Sequence, residues 1–190
     1  MDVVALSPRL TPELVLEAYP QGLFPMAYVE ENIITWHHPK RRAIIPLDAA
    51  PDLKGDWRRL FDGYSTFYKR TLTDEVAEAV WGWILDPAHE LEGVLALEGE
   101  TPVGLAHFRR QPRPAVGRDM GYLDDLFVSP DARAKGTGRA LLAHVAQVGR
   151  TRGWGVVRWT TADDNYRARS LYDQVAAKTA WNLYEMSLEA

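Results

Sequence analysis

The sequence predicts a mixed α/β domain, in which a central mixed sheet is flanked by helices, preceded by a short N-terminal appendage. Helical and strand-like hydrophobic patterns alternate from about residue 52 to the end of the chain. Prolines divide the first fifty residues into short elements of a different character. The 190 residues are 46% apolar and 25% charged, which is enough for one folded domain with a core.

Composition excludes several classes of function. The chain has no cysteine, so disulfides, thiolate metal sites and a cysteine nucleophile are excluded. A net charge of −4 gives no support to a large nucleic-acid interface. No uncharged apolar run reaches the roughly 18 residues that a membrane span needs, and no signal-peptide pattern appears. We therefore expect a cytoplasmic protein with neither membrane nor nucleic-acid partners, and a homodimer stays open.

The first fifty residues predict four short elements. A helix begins at Thr11, whose hydroxyl can cap it, and Pro20 ends it. Residues 22–27 form an apolar turn, and residues 33–36 a short strand. Residues 43–47 form another strand, in which Pro46 favours a sheet edge or a strand end.

Hydrophobic periodicity predicts the elements that follow. Trp57, Leu60, Phe61, Tyr64 and Tyr68 recur at helical spacing. A second helix begins after the cap Thr73 and carries Val76, Val80, Trp83 and Ile84. The remaining predicted elements are, in order, strands at 94–97 and 103–108 joined by a hairpin turn at 98–100, a loop at 109–120, a strand at 122–128, a helix at 138–152, a strand at 155–160, a helix at 165–175 and a strand at 181–188.

The most informative stretch lies between the strand ending at Val128 and the helix after it. Gly136 and Gly138 let backbone N–H groups approach a ligand. The first amides of the helix and its dipole favour an anion there, and Arg133, Lys135 and Arg139 add positive charge. The stretch is neither a P-loop nor a dinucleotide fingerprint. It predicts a phosphate site, with an ordinary turn capping a surface helix as the alternative.

Residues 52–190 resemble the GCN5-related N-acetyltransferase (GNAT) superfamily. The run Arg133-Ala134-Lys135-Gly136-Thr137-Gly138 matches its acyl-CoA signature Q/R-x-x-G-x-G/A. The strand from Tyr122 to Pro130 is similar to the one before that loop. The run Asn165-Tyr166-Arg167-Ala168-Arg169-Ser170-Leu171-Tyr172 is similar to the N-x-x-A-x-x-L-Y block of the following helix. The resemblance implies the acyl-CoA N-acyltransferase fold and acetyl-CoA as cofactor. It also implies that the acetyl group moves by direct attack of a primary amine, which belongs to a small molecule, an amino acid or a peptide.

The same resemblance implies which residues touch the cofactor. The strand backbone would pair with the pantetheine arm, whose carbonyl oxygen would receive the N–H of Val128. The cofactor-binding residues implied are Leu126, Phe127, Val128, Arg133, Ala134, Lys135, Gly136, Thr137, Gly138, Arg139, Ala140, Asn165, Ala168 and Tyr172.

Acetyl transfer needs a base for the amine and an acid for the leaving thiolate. The resemblance makes Tyr172 the acid, with a core tyrosine as the alternative. Polyamine acetyltransferases of the superfamily carry L-E-D-F-F-V at Leu123 to Val128, so Asp124 matches the glutamate that acts as base; the alternative is a loop hydrogen bond. Neighbours on a strand point to opposite faces, so Asp124 and Asp125 should not share the cleft, and Asp125 is expected to be structural.

Substrate selection is expected from the first two helices, the 109–120 loop and the final strand. Aromatic residues such as Tyr64, Tyr68, Trp81 and Trp83 could line a site for a cationic or aromatic amine there, or belong to the core. His107 is either a cleft base or structural. The adjacent pair His37 and His38 has poor spacing for a shared metal, so no metal is expected.

Residues 9–48 resemble a different family, the N-terminal part of leucyl/phenylalanyl-tRNA–protein transferases. The similarity lies in Leu10 to Tyr19, Gly22 to Ala27, Trp36, Pro39 and Arg42 to Asp48. That family's later blocks are absent. We therefore expect a fusion of a front piece (1–50) with a complete acetyltransferase domain (51–190). Two other functions stay open: a remnant aminoacyl-tRNA–protein transferase and a non-catalytic CoA-binding module.

Overall fold

The computed structural model of the chain describes residues 2–14, 24–28, 33–38 and 42–188. It contains two compact units, residues 1–158 and 159–190, and each is described here by itself. Among the described residues, no helix is long and apolar enough to cross a membrane.

A small antiparallel sheet forms at the front of the chain. Its strands are β1 (Asp2–Ser7), β2 (Phe24–Tyr28) and β3 (Ile33–His38), in the order β1-β3-β2. The strand predicted at 33–36 is confirmed, but 24–27 belongs to a strand rather than a turn, because it pairs with β3. Thr11 accepts a hydrogen bond from the Leu14 amide at 3.3 Å, as a helix cap does. Residues 15–23 of the predicted helix and turn lie outside the described residues.

A mixed five-stranded sheet forms the centre of the first unit. Its strands are β4 (Arg42–Pro46), β5 (Leu91–Glu98), β6 (Thr101–Arg113), β7 (Arg118–Val128) and β8 (Val157–Arg158), in that spatial order. Only the β7–β8 pairing is parallel. Pro46 ends the edge strand β4, as predicted, and the next residue, Leu47, is fully buried.

Three helices pack on this sheet: α1 (Lys54–Phe67), α2 (Asp74–Leu85) and α3 (Thr137–Thr151). The apolar stripe of α1 is confirmed, since Trp57, Leu60 and Phe61 are buried. Thr73 caps α2 by accepting the Val76 amide. The stripe predicted for α2 is partly wrong.

Val76 and Trp83 of that predicted stripe are 49% and 46% exposed. The side chains that α2 buries instead, besides Val80 and Ile84, are Ala77 and Trp81. A shift of one residue turns a helix by about 100°, which is enough to exchange a facing side chain for an exposed one. The large side chain of Trp81 accounts for the orientation of α2, because its ring centroid lies 4.9 Å from that of Trp57 in the core.

The loop predicted at 109–120 is wrong, because β6 and β7 form one long hairpin. Only a short turn at 114–117 interrupts it, with Gly117 at φ 59°. Beyond Arg109, which pairs with Leu91 at the start of β5, the described residues give β6 no strand neighbour other than β7. Pro112 therefore lies in a two-stranded ribbon, where a residue without an N–H can face away from the ladder.

The second unit contains one helix, α4 (Tyr166–Val175). Asn165 caps it by accepting the Ala168 amide at 3.4 Å, which confirms the predicted start. The strand predicted at 181–188 is wrong, because this stretch forms neither helix nor strand. A strand requires a partner ladder, and Trp181, Tyr184 and Leu188 are each more than 80% exposed. In the first unit, the strand predicted at 155–160 is observed only over the two residues of β8.

Candidate active site

A β-bulge in β7 brings two carboxylates together. His107 of β6 pairs with Asp125 and Phe108 pairs with Leu123, so Asp124 is an extra residue on β7. Asp125 bonds to His107 and Asp124 bonds to Arg109, and these two partners share one face of β6 because they are two residues apart. Both aspartates therefore lie on the same face, contrary to the expectation from strict alternation.

Asp124 is held by an arginine. The Nε atom of Arg109 lies 3.2 and 3.1 Å from the two carboxylate oxygens of Asp124. The same guanidinium lies over the Tyr122 ring, 5.2 Å from its centroid. Burial raises the pKa of Asp124 and outweighs the charge and hydrogen bond of Arg109, which lower it. The result is a half-buried carboxyl whose pKa is above its ordinary value, as a general base requires.

Asp125 ends a hydrogen-bonded chain that starts in the core. Trp57 of α1 donates its indole N–H to Nε2 of His107 at 2.8 Å. His107 is completely buried, and its Nδ1 lies 2.8 Å from Oδ2 of Asp125. Burial raises the pKa of Asp125, but His107, Tyr64 and Arg70 together lower it by more, so its pKa lies below the ordinary value. Burial and the charge of Asp125 raise the pKa of the Tyr64 phenol, which stays protonated.

Beyond the bulge, β7 presents main-chain groups away from β6. The Ser129 amide donates to the Val103 carbonyl at 2.9 Å, so Ser129 faces β6 and its neighbour Val128 faces the other way. On that outer side, the pairing with β8 is confined to Gly121 and Tyr122 in the described part of the chain. The Val128 carbonyl accepts a 3.0 Å hydrogen bond from Nε of Arg133.

The loop after β7 ends at the N-terminus of α3. Gly136 precedes the helix with φ 85°, and Ala134 has φ 60°, so two residues of the loop adopt left-handed backbone. The first intrahelical bond runs from the Ala140 amide to the Gly136 carbonyl at 3.0 Å. The amides of Thr137, Gly138 and Arg139 therefore precede the helical ladder and point out of its end. This geometry suits an anion.

The basic side chains of the loop are not all directed at that end. Arg133 bonds to its own strand and lies over the Phe67 and Phe127 rings at 5.9 and 5.7 Å. Lys135 lies 3.8 Å from a carboxylate oxygen of Glu98 in a partly exposed ion pair. Arg133 thus shapes the loop in addition to adding charge.

The remaining predicted residues fall into two groups. Leu126, Phe127 and Val128 lie on β7, and the Phe127 side chain is buried against α1. Asn165, Ala168 and Tyr172 belong to the second unit, where Asn165 and Ala168 form the cap of α4. The Tyr172 ring packs 5.2 Å from that of Trp159 in the same unit.

Sequence reasoning missed the role of Trp57. For His107 it left a cleft base and a structural residue open, and the side chain is completely buried. Trp57 is fifty residues from His107 and reads as an ordinary core residue of an amphipathic helix. A histidine inside a strongly apolar strand is a signal, because a buried imidazole needs hydrogen-bond partners. Among the described residues, no group of three or more His, Asp or Glu side chains is arranged to hold a metal ion.

Comparison with known proteins gives two families for the two parts of the chain. The model of the acetyltransferase (GNAT) family matches residues 57–176. The model of the leucyl/phenylalanyl-tRNA protein transferase N-terminal domain matches residues 9–40. Both resemblances found in the sequence are therefore confirmed.

Individual relatives agree with this division. The D-amino-acid N-acetyltransferase HPA3 of Saccharomyces cerevisiae is 35% identical over 131 residues, 68% of this chain and 81% of that protein. A leucyl/phenylalanyl-tRNA–protein transferase of Akkermansia muciniphila is 58% identical over 43 residues, 23% of this chain but only 22% of that protein. A structure of aminoglycoside N-acetyltransferase AAC(6')-Iy with CoA shares the fold, with a TM-score of 0.67 at 18% identity over 78% of this chain and 95% of that chain.

Proposed function

We propose that this chain, which belongs to the acetyltransferase (GNAT) family, takes acetyl-CoA as its acyl donor and binds it along the outer edge of β7 and the N-terminus of α3. The chain is an N-acetyltransferase with an amine acceptor. The observation that carries the proposal is that the Val128 amide of β7 and the amides of residues 137–139, which follow it along the chain, all face outward. An elongated ligand with an amide-containing arm and a diphosphate could use both.

The pantetheine arm would act as a short additional strand on β7. Because Val128 faces away from β6, its N–H can donate to an amide or thioester carbonyl of the arm. The bonded thioester carbonyl would be polarised, which lowers the barrier to attack. Leu126 faces the same way two residues earlier and extends the ladder.

The diphosphate would be held by main-chain amides at the mouth of α3. Gly136 allows the left-handed turn that directs the following amides outward. Lys135 and Arg139 contribute positive charge, and Ala134, Thr137, Gly138 and Ala140 contribute backbone. Thr137 is 3% exposed and anchors the helix against β6.

The chemical step needs one base and one acid. The amine nitrogen attacks the thioester carbon, the carbon–sulfur bond breaks, and CoA leaves as a thiolate. Asp124 would take the proton of the amine, directly or through a water molecule, and its raised pKa makes it a better base than an ordinary aspartate. Tyr172 would donate its phenolic proton to the thiolate, and Asn165 and Ala168 would support the cofactor arm.

Binding of acetyl-CoA tests the proposal. In Gly136→Glu, a carboxylate is placed at the anion site and a side chain at φ 85°, so we expect a loss of affinity of 100-fold or more, on the order of 3 kcal/mol. Gly117→Glu is the matched control, because Gly117 also has positive φ but lies at the tip of the β6–β7 hairpin. Calorimetry measures the affinity of both variants for acetyl-CoA. Equal affinity in the two variants contradicts the proposed site.

The front piece supports a second candidate activity, because residues 9–40 match the transferase N-terminal domain. We propose a fusion in which a front segment of about residues 1–50 precedes an acetyltransferase domain of about 51–190. Incubation with charged tRNA and an acceptor protein tests whether the front piece transfers amino acids. We expect no transfer, because only a fifth of that enzyme's length is represented.

The roles of base and acid are tested separately by two substitutions. If Asp124→Asn and Tyr172→Phe leave amine acetylation unchanged, these two roles are misassigned.

A further inference from the structure

Beyond Arg109, the β6–β7 hairpin continues as a ribbon whose two faces differ in charge. Residues that oppose each other in an antiparallel pair point to the same face. Three opposed pairs share one face: Arg109 with Tyr122, Gln111 with Met120, and Arg113 with Arg118. We call it the α1 face, because Phe127, which lies on it further along β7, contacts that helix. Since Arg109 also holds Asp124, the α1 face continues from the candidate active site.

The opposite face of the ribbon is neutralised within the chain. Arg110 and Asp119 lie on that face, and Nε of Arg110 is 3.1 Å from a carboxylate oxygen of Asp119. On the α1 face, Arg113 and Arg118 oppose each other directly, and within the described residues neither side chain forms an ion pair or a hydrogen bond. Like charges in directly opposed positions destabilise a strand pair. A negatively charged ligand would offset that cost.

The two opposed arginines are accessible from the solvent. Arg118 is exposed and Arg113 is partly exposed. Between this pair and the bulge of β7, the α1 face presents Tyr122 and Gln111, which are partly exposed, over the buried side chain of Met120. An extended ligand could therefore lie along the α1 face from the bulge to the two guanidinium groups.

The spacing along the strands sets the length of such a ligand. Arg113 lies four residues beyond Arg109, and Arg118 lies four residues before Tyr122. At about 3.3 Å per residue, the arginine pair lies roughly 13 Å along the strands from the arginine that holds Asp124. An extended peptide covers this length in about four residues. A free amino acid, whose amine and carboxylate share one carbon atom, is too short to reach both places.

We propose that the acceptor is a peptide whose amino-terminal amine lies at Asp124 and whose acidic side chains, at about its third and fourth positions, bind Arg113 and Arg118. The inference rests on the proposed function, because it names the acceptor class of the same site. A guanidinium group binds a carboxylate through two parallel charged hydrogen bonds, which a neutral amide does not offer. The pair therefore selects acidic peptides, although the chain as a whole has a net charge of −4.

Two peptides of equal length test this preference. One has glutamate at its third and fourth positions, the other has glutamine there, and all other residues are the same. At low salt we expect kcat/KM to be about tenfold higher for the glutamate peptide, mainly through KM. The difference should shrink as added salt screens the contact. Equal kcat/KM values for the two peptides overturn the proposal.

Substitutions separate the arginine pair from the general charge of the surface. Arg113→Gln and Arg118→Gln should each reduce the preference by about threefold, whereas Arg118→Lys should keep part of it because the charge remains. Arg110→Gln is the matched control, since Arg110 lies on the opposite face of the same ribbon. Acetyl-CoA affinity should not change in any of them, because the ribbon is at the opposite end of β7 from Val128. An equal loss of preference in Arg110→Gln contradicts the assignment to the pair.

Peptide binding can be measured without turnover. Fluorescence anisotropy with both peptides, each labelled at its carboxyl end, should show tighter binding of the glutamate peptide, and the Arg113→Gln, Arg118→Gln double variant should abolish the difference. If this preference is found but no amine is acetylated, the proposed function fails and the peptide site stands. If amines are acetylated but the two peptides bind equally, the proposed function stands and the peptide site is wrong.

Discussion

Asp124 is subject to two opposing influences. Burial raises its pKa, and the charge and hydrogen bond of Arg109 lower it, with burial the larger. A base must be deprotonated to act, so activity should rise with pH through this raised pKa. The acid limb of kcat/KM is therefore expected above the value of about 3.9 that an unperturbed aspartate shows.

Replacing Arg109 by glutamine should move that limb. The substitution removes the neighbour that lowers the pKa of Asp124, so the pKa rises further and the limb shifts to higher pH. Arg110→Gln is the matched control, since Arg110 pairs with Asp119 instead. The pH profile of acetyl transfer checks the shift, and a limb unmoved by Arg109→Gln removes Asp124 from the role of base.

Single residues also show where sequence reasoning reached its limit. The strand from Tyr122 to Val128 and the glycines at 136 and 138 were predicted from local pattern alone, and the structure contains both the strand and the turn. The sharing of one face by Asp124 and Asp125 was not predictable, because a bulge is a property of the register between two strands. The bond from Trp57 to His107 joins residues fifty positions apart, and no local pattern contains it.

At the scale of elements, the contact between α1 and β7 leaves no room for a side chain at one helical position. A Cβ atom on Gly63 would lie 2.7 Å from the end of the Phe127 ring. The next residue along β7 is Val128, which is proposed to bind the cofactor arm. The position of α1 is thus coupled to the strand that carries the site.

Gly63→Ala should destabilise the protein although alanine favours helices. Helix propensity would contribute about 1 kcal/mol in favour of alanine, whereas overpacking costs about 1–3 kcal/mol. We expect a net loss of up to about 2 kcal/mol, together with weaker acetyl-CoA binding as Phe127 shifts. Gly82→Ala in α2 is the control, because a Cβ there meets nothing within 4 Å, and it should be neutral or stabilising. Unfolding in urea measures the free energy of unfolding of both variants. Equal changes in the two would show that the Phe127 ring moves aside for the added Cβ atom at no cost.

Elements were predicted best where the pattern is decided within the chain segment itself. The long helix α3 and the cap at Thr73 follow from local periodicity and capping chemistry, and both are confirmed. The 109–120 segment was misjudged because Pro112 is tolerated only in a ribbon whose single neighbour the sequence does not reveal. The 181–188 segment has strand-like composition but no ladder partner in the structure.

At the scale of the whole molecule, the two segments that match different families form two separate sheets. Strands β1 to β3 pair with one another, whereas β4 pairs with β5 of the central sheet. Sheet membership therefore changes between His38 and Arg42. The boundary predicted at residue 50 places β4 with the front piece. The sequence also offers residues 43–47 as the first strand of the acetyltransferase sheet, and β4 does lie at the edge of that sheet.

Two deletions separate the front piece from the domain. Removing residues 1–38 leaves β4 in place, so we expect the shortened chain to fold and to acetylate amines as the full chain does. Removing residues 1–48 also takes away β4 and Leu47, which is fully buried and bonds through its amide to the Gly93 carbonyl at 2.9 Å. Burial of one leucine is worth about 1.5–3 kcal/mol, and β5 would become an open edge strand prone to aggregation.

We therefore expect the longer deletion to unfold at markedly lower urea concentration or to aggregate, and the shorter deletion to match the full chain within error. Circular dichroism with urea and acetyl-CoA turnover measure both. If removal of residues 1–38 is as damaging as removal of 1–48, the front sheet is part of the folding unit of the acetyltransferase. The pairing of β4 with β5 argues against that outcome, because it supplies the central sheet with its edge strand without any residue before Arg42.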